Sequence, residues 1–374
     1  MPSKFEITVP TFFGTESTLA YEVSSLGYET TEVVDGRVTL DGDWEAVALL
    51  NVNLRCGERV LIRLARFSAV VFEELFQGVY NLPWEEFIGE NDQFPVVGSS
   101  LKSQLHSVPA CQSIIKKAIV KRLSLRYGRE QFEETGNKLI IRFTIFKDEC
   151  TVYLDTSGVP LYKRGYRTEG VEAPMRETLA FSMVDVSRWR GDRPFLDPFC
   201  GSGTIPIEAA LYALNIAPGL KRRFLAESWD CMDKSLWADA REEARENQNL
   251  TAETHIFASD IDPKAVETAM ANARRAGVAD RIHFSVCDMA KAREFKEKGI
   301  VMCNPPYGER LMDKKSCEAL YRAMGRKFAH YTEAAKLILT SHEEFEKFYG
   351  RMADKRRKLY NGMLKCCLYQ YFRG

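Results

Sequence analysis

The sequence predicts an α/β protein of three units: a small βαββαβ unit, an α+β unit, and a C-terminal open sheet of mostly parallel strands with helices on both faces. Three observations predict it. Strand-like and helix-like runs alternate from residue 166 to the C-terminus. Two β-rich runs flank Asp35-Gly36 and two more flank Asn361-Gly362, each pair a hairpin signal. A glycine-rich turn, DPFCGSGT, stands where the first strand of the last unit passes into a helix. A chain of 374 residues also exceeds one ordinary domain.

In the first unit, FEITVP reads as a strand, Thr15 to Leu26 as a helix and YETTEVVDGRVTLDG as a hairpin. Asp43 to Asn53 reads as a second helix and Arg59 to Phe67 as the last strand. That order over residues 1–67 suits a ferredoxin-like module. The second unit, 68–165, ends in the strands of NKLIIRFTIFKDECTVYLDTSG. Before them, Ile114, Ile115, Ala118, Ile119 and Leu123 recur at helical spacing, so one face is core and Lys116, Lys117 and Lys121 lie off it. Between Leu101 and Arg129 there are seven basic residues and no acid, while the whole chain balances 52 basic against 52 acidic. A local +7 in a neutral protein marks a phosphate-binding surface, with Lys102, Lys116, Lys117, Lys121 and Arg122 as its contacts. A solvated helix face is the competing reading.

The third unit, 166–374, alternates PFLDPF with TIPIEAALYAL and THIFASD with PKAVETAMANARRAG, then adds RIHFSVCD, KGIVMCNPP and AAKLILTS. Such alternation makes a doubly covered parallel sheet. KLYNGMLKCCLYQYF adds an antiparallel edge hairpin for seven strands in all, and Cys366 and Cys367 fall on opposite faces of its second strand. No sequence repeat is visible. With 45% hydrophobic and 28% charged residues the composition is that of a globular protein. No apolar run reaches the ~20 residues a membrane span needs, and MPSKFEITVP has no signal-peptide pattern. Ten cysteines without a C-x-x-C and five histidines without an H-x-x-x-H argue against zinc and for reduced thiols in the cytoplasm.

Four strand ends carry chemistry. Gly201 and Gly203 let the backbone approach a ligand, and the helix opening at Thr204 offers free N–H groups. Pro206 replaces the third glycine of a dinucleotide fingerprint and no Gly-Lys-Ser/Thr follows, so neither that motif nor a P-loop is present. A tight βα turn is the alternative. Asp260 closes the second strand, where a carboxylate can take both ribose hydroxyls of a nucleoside. Asp288 closes the third, where its carboxylate or a backbone amide can meet an adenine edge. Each alone reads as a helix N-cap, as Asp262 before Pro263 does. In VMCNPPYGER the prolines stop strand and helix alike and present carbonyls without neighbouring amides. Asn304 adds a side-chain carbonyl and Tyr307 a flat ring. Together the four ends describe a nucleoside bearing a sulfonium, beside a site for an exocyclic amine.

DPFCGSGT, SDID, VCD and NPPYGER resemble the binding motifs of Rossmann-like S-adenosylmethionine methyltransferases acting on amino groups. GSSLKSQLHS with IIKKAIVKRL resembles a THUMP RNA-binding domain, and LYKRGYRTEGVEAPMRETLA the stretch that joins THUMP to catalytic domain in such enzymes. The insertion IAPGLKRRFLAESW is similar to theirs as well. The resemblance covers nearly the whole chain and is closest to the bacterial 23S rRNA guanine-N2-methyltransferases, with archaeal tRNA guanine-N2 enzymes next. It implies S-adenosyl-L-methionine held by Asp197, Phe199, Gly201, Gly203, Thr204, Asp260, Ile261, Asp288, Met289 and Asn304, an RNA partner, and no metal. It also implies Asn304, Pro305 and Tyr307 as the catalytic group. The Asn304 side chain and the Pro305 carbonyl accept the two hydrogens of the target amine, and Tyr307 stacks on the extruded base. A tRNA guanine-N2 enzyme, a DNA adenine-N6 or protein glutamine methyltransferase, and a non-catalytic RNA-binding assembly factor stay open. The THUMP-like segment favours RNA, and the intact NPPY and glycine loop favour turnover.

Overall fold

The structure is a computed structural model that describes residues 4–167, 175–307, 314–362 and 364–372. It opens with β1 (Phe5–Pro10), α1 (Glu16–Ser25), β2 (Thr30–Val34), β3 (Arg37–Gly42), α2 (Trp44–Asn53) and β4 (Leu61–Ser68). Neighbouring strands here are antiparallel in the order β2-β3-β1-β4, which is the ferredoxin-like arrangement. The hairpin turn falls at Asp35-Gly36, where Gly36 takes a φ of +78°. Asp43 is the cap of α2 and not its first residue, its carboxylate accepting the Ala46 N–H at 3.0 Å.

The second unit contributes α3 (Phe72–Tyr80), β5 (Val96–Leu101), α4 (Val108–Tyr127), β6 (Ile140–Phe146) and β7 (Glu149–Asp155). Cys111, Ile115, Ala118, Ile119 and Leu123 form the buried stripe of α4, while Ile114 is only half-buried at its border. The sheet does not stop where β4 ends. β7 pairs antiparallel with β4, giving one seven-stranded sheet in the order β2-β3-β1-β4-β7-β6-β5. An unpaired edge on β4 would leave a row of ladder donors and acceptors open, and β7, buried along most of its length, closes it.

The third unit holds α5 (Glu177–Val186), β8 (Phe195–Asp197), α6 (Thr204–Ala213), α7 (Lys234–Glu246), β9 (Ile256–Asp260), α8 (Pro263–Ala276), β10 (Ile282–Val286) and β11 (Gly299–Cys303). It closes with α9 (Lys314–Phe328), β12 (Ala334–Thr340), α10 (Phe345–Tyr349), β13 (Lys355–Asn361) and β14 (Leu364–Tyr371). The strand order is β10-β9-β8-β11-β12-β14-β13, parallel as far as β12 and antiparallel beyond it. Both faces are covered. Met302 packs in the apolar layer with Ile207 and Leu368, and its neighbour Val301 packs in the opposite layer with Tyr321 and Ile338.

The insertion between α6 and β9 does not stay with the third unit. Phe224, Trp229 and Trp237 are buried in the core of the first sheet, and α7 lies on α2. The Trp229 indole donates to the Lys138 carbonyl at 2.9 Å, and the Gly219 amide to that of Val52 at 2.8 Å. A Cβ on Gly219 would come within 2.5 Å of the Val52 Cα, so only glycine permits this approach. The arm clasps the two halves of the molecule together.

Candidate active site

The parallel register of β8, β9, β10 and β11 places their C-terminal ends along one edge of the sheet. Chain order runs outward from β8 through β9 to β10, then reverses to β11 and β12 on the other side. In open α/β sheets ligands sit in the crevice at such a reversal. All four motif-bearing strand ends are on that edge.

Gly201 and Gly203 both take positive φ, +50° and +82°. They serve different ends. A Cβ on Gly203 would lie 2.9 Å from that of Ala269, so this glycine lets α6 pack on α8, whereas one on Gly201 would meet nothing within 4 Å. The turn is tied down by Cys200 N–H to the Ser259 carbonyl (2.9 Å), Asn272 Nδ2 to the Ser202 carbonyl (2.8 Å) and Arg167 Nη2 to Thr204 Oγ1 (2.7 Å). Sequence reasoning missed Asn272 and Arg167. Asn272 had a signal: it is a polar residue on the buried stripe of Val266, Ala269 and Ala273.

Asp260 accepts the Gly201 N–H at 2.9 Å through Oδ2 and the Asp262 N–H at 3.1 Å through Oδ1, so the second strand end holds the glycine turn directly. Each oxygen keeps a lone pair for a hydroxyl. Beside it Ile261 is 68% exposed, an apolar surface on the crevice rim. Asp262 caps α8 through the Lys264 N–H. Asp288 is exposed and its carboxylate accepts the Ala290 N–H at 2.8 Å, capping its own turn. Met289 is buried in the apolar layer against which the half-buried Phe199 also packs.

Asp197 is 1% exposed; Oδ1 accepts the Phe199 N–H at 3.1 Å, and Oδ2 is buried without a partner among the described residues. Burial pushes its carboxyl well above the usual range, the Phe199 bond opposing and the Asp260 charge adding. A buried carboxyl oxygen without a partner costs free energy, and a cationic ligand group removes that cost by stabilising the ionised form. The ammonium end of S-adenosylmethionine fits it, as the open side of Gly201 and the apolar Ile261 fit the rest of that molecule.

At the end of β11, Asn304 Oδ1 is likewise buried without a partner among the described residues, and Pro305 beside it is buried. Tyr321 of α9, fully buried, donates its hydroxyl to the Pro306 carbonyl at 2.8 Å and sits 3.3 Å from Thr340 Oγ1. Asn361 Nδ2, at the end of β13, donates to the Tyr307 hydroxyl at 3.4 Å. Neither Tyr321 nor Asn361 was found from sequence, because each reaches the loop from a distant element. Gly308, Glu309 and Arg310 of the motif lie outside the described residues.

Beneath the glycine turn, YKRGYR delivers three side chains into a buried ionic cluster. Tyr166 donates to Glu208 at 3.0 Å, Arg164 lies 3.5 Å from the same carboxylate, and Arg167 is 3.0 Å from Glu177. Burial raises the Glu177 carboxyl to about 7 despite the opposing Arg167 charge. A raised acid binds its proton better folded than unfolded, so its contribution is complete below about pH 4.5 and is lost as pH climbs to about 7. A shift of this size corresponds to about 3 kcal/mol. Glu177→Gln should therefore flatten the decline in thermal midpoint between pH 5 and pH 8 relative to wild type; parallel curves would remove Glu177 as its source.

The basic helix is less basic in three dimensions than in sequence. Lys116 pairs with Glu134 at 2.5 Å and lies 3.4 Å from the Phe94 ring centroid. Arg122 pairs with Glu85, and Arg129 with Glu90. These acids come from segments on either side of the run, so the +7 overstates the local charge. Lys102, Lys117 and Lys121 are exposed and make no ion pair among the described residues. No described helix is long and apolar enough to cross a membrane, and the described residues contain no cluster of side chains suited to a metal ion.

Comparison with known proteins agrees with this geometry. An RMKL-like methyltransferase domain matches residues 164–370, an RlmL ferredoxin-like domain residues 6–61 and a THUMP domain residues 69–155. A Bacillus subtilis protein named "Putative RNA methyltransferase YpsC" is 45% identical over 99% of this chain and 96% of its own length. The ribosomal RNA large subunit methyltransferase K/L of Psychromonas ingrahamii is 36% identical over 97% of this chain, which spans only 49% of that protein. The solved structure of SMU.472 in complex with S-adenosylhomocysteine superposes with a TM-score of 0.94 at 41% identity, covering 100% of this chain and 99% of the other. Family and crevice agree: the chain belongs to the RMKL-like methyltransferases, S-adenosylmethionine-dependent enzymes, and carries an RlmL-type ferredoxin-like domain and a THUMP domain ahead of its catalytic sheet.

Proposed function

We propose that this enzyme methylates the exocyclic N2 amine of a guanine in 23S rRNA. The observation that carries the reading is Asn304 Oδ1, a buried acceptor without a partner among the described residues, at the strand end next to the Pro305 carbonyl. S-adenosylmethionine supplies an activated methyl group on its sulfonium. Asn304 and Pro305 accept the two hydrogens of the target amine, draw its lone pair out of conjugation with the purine ring, and stabilise the positive charge that grows on nitrogen as the N–CH3 bond forms and the S–CH3 bond breaks. S-adenosylhomocysteine is the leaving group, and the nitrogen then loses its surplus proton to solvent. Tyr307 stacks on the extruded base. Asp197, Gly201, Thr204, Asp260 and Ile261 hold the cofactor, and the THUMP domain favours RNA over DNA as the substrate. Nucleoside mass spectrometry of rRNA and tRNA from a deletion strain tests the assignment. Loss of N2-methylguanosine from 23S rRNA is expected; loss from tRNA alone would redirect the substrate, and unchanged RNA would overturn the reading.

The paired state of Lys116 changes which residues of the THUMP helix can meet phosphate. Lys117→Glu with Lys121→Glu should weaken RNA binding on the order of tenfold at low salt and leave cofactor affinity alone. Lys116→Glu would set a carboxylate beside Glu134 and should lower the thermal midpoint as well. RNA affinity measured at several salt concentrations separates the two; an unchanged Lys117/Lys121 variant would make this helix a solvated face.

A further inference from the structure

We propose that the C-terminal hairpin β13–β14 is a second RNA-gripping surface, one that holds the substrate backbone beside Tyr307; the inference rests on the RNA reading above. From Lys355 to Tyr371 the chain carries five basic residues and no acid. Two of the five are occupied. Arg356 is paired with Glu346, and Arg357 donates to the Gly14 carbonyl at 3.1 Å. Lys355, Lys358 and Lys365 are exposed and make no ion pair among the described residues.

Their position follows from the register. β13 runs parallel to β12, because both are antiparallel to β14, so its C-terminal end reaches the active-site edge of the sheet. There Asn361 bonds Tyr307, which ties the hairpin to the catalytic loop. Lys358 and Tyr360 alternate with the buried Leu359, and Tyr360 stands directly opposite Lys365 on β14. The face of the hairpin opposite Leu359 and Asn361 therefore presents two ammonium groups, unpaired among the described residues, around a 36% exposed aromatic ring at the active-site edge. Cations to meet phosphates, interleaved with a ring on which a base can stack, are what a single-stranded nucleic acid needs. The occupant is the substrate RNA next to its extruded base.

Lysines on a sheet edge have another use, which is to prevent edge-to-edge pairing of protein molecules. Charge reversal separates the two roles. Lys358→Glu with Lys365→Glu keeps the edge charged, so a guard role predicts no change, while phosphate contact predicts loss. The measurement is affinity for a 23S rRNA transcript across a salt series, with S-adenosylhomocysteine titration confirming the fold of each variant. The expected result is RNA binding on the order of tenfold weaker at low salt, with the salt slope reduced by about 1.4 for two lost single-strand phosphate contacts. If wild type binds the transcript and the variant matches it in affinity and slope, the hairpin is a guarded edge and the inference falls while the RNA reading stands. If wild type shows no salt-dependent RNA binding, the RNA reading and the inference fail together.

Discussion

Asn304→Ala is expected to lower methyl transfer to RNA by roughly 10²-fold or more while leaving affinity for S-adenosylhomocysteine nearly intact, its contact with the cofactor being the smaller of its two roles. The side-chain oxygen is buried and has no partner among the described residues, so Ala removes no hydrogen bond that the described structure makes through it. Its energy appears only when the target amine arrives, and most strongly when that nitrogen gains charge. Truncation therefore removes an acceptor that acts chiefly on the transition state, and the loss falls on kcat. Tyr321→Phe offers the graded companion. It frees the Pro306 carbonyl without touching Asn304, so activity should fall less while cofactor binding stays intact. Single-turnover kinetics and calorimetric titration read both quantities. An Asn304→Ala enzyme that turned over at the wild-type rate would remove the two-acceptor cradle as the basis of catalysis.

Asp260→Ala should weaken S-adenosylhomocysteine binding by on the order of 1–3 kcal/mol, towards the upper end of that range. Two losses combine. Hydrogen bonds to the ribose hydroxyls disappear, and the Gly201 N–H loses its acceptor, so the turn beside the ligand is no longer fixed. Asp262→Ala is the control two residues away. It removes the cap of α8 and should cost about 1 kcal/mol of stability while leaving ligand affinity alone. Calorimetry on both variants distinguishes a ligand-binding carboxylate from a local structural one. Equal affinities in wild type and Asp260→Ala would take Asp260 out of the cofactor site.

The alternation of β and α runs, the Asp35-Gly36 turn, the C-terminal hairpin and the four strand-end motifs were all legible in the sequence, although Asn361 proved to be the last strand residue and not part of the turn. Each is a local pattern whose meaning depends on residues within one element and its flanking turn. Once the strands are parallel, their C-terminal ends must share an edge, so DPFCGSGT, Asp260, Asp288 and Asn304 converge without further information. What could not be read was pairing between distant segments. Nothing near Lys116 or Arg122 announces Glu134 or Glu85, and a run of like charges in sequence became a partly neutralised surface in space.

Sequence by itself determined the three units, the sheet class and the strand-end motifs that line the crevice, because periodicity and turn chemistry act over a few residues. Tertiary structure alone decided how those parts are held. It joined the first two units through β4 and β7, since a strand edge must be paired or covered, and it sent the Trp229 arm back across α2 to bury apolar surface that the third unit does not cover. It also brought Arg167, Asn272, Tyr321 and Asn361 to the catalytic loops from elements far along the chain. A hydrogen bond depends on distance in space, and distance in space is set by packing of the whole chain.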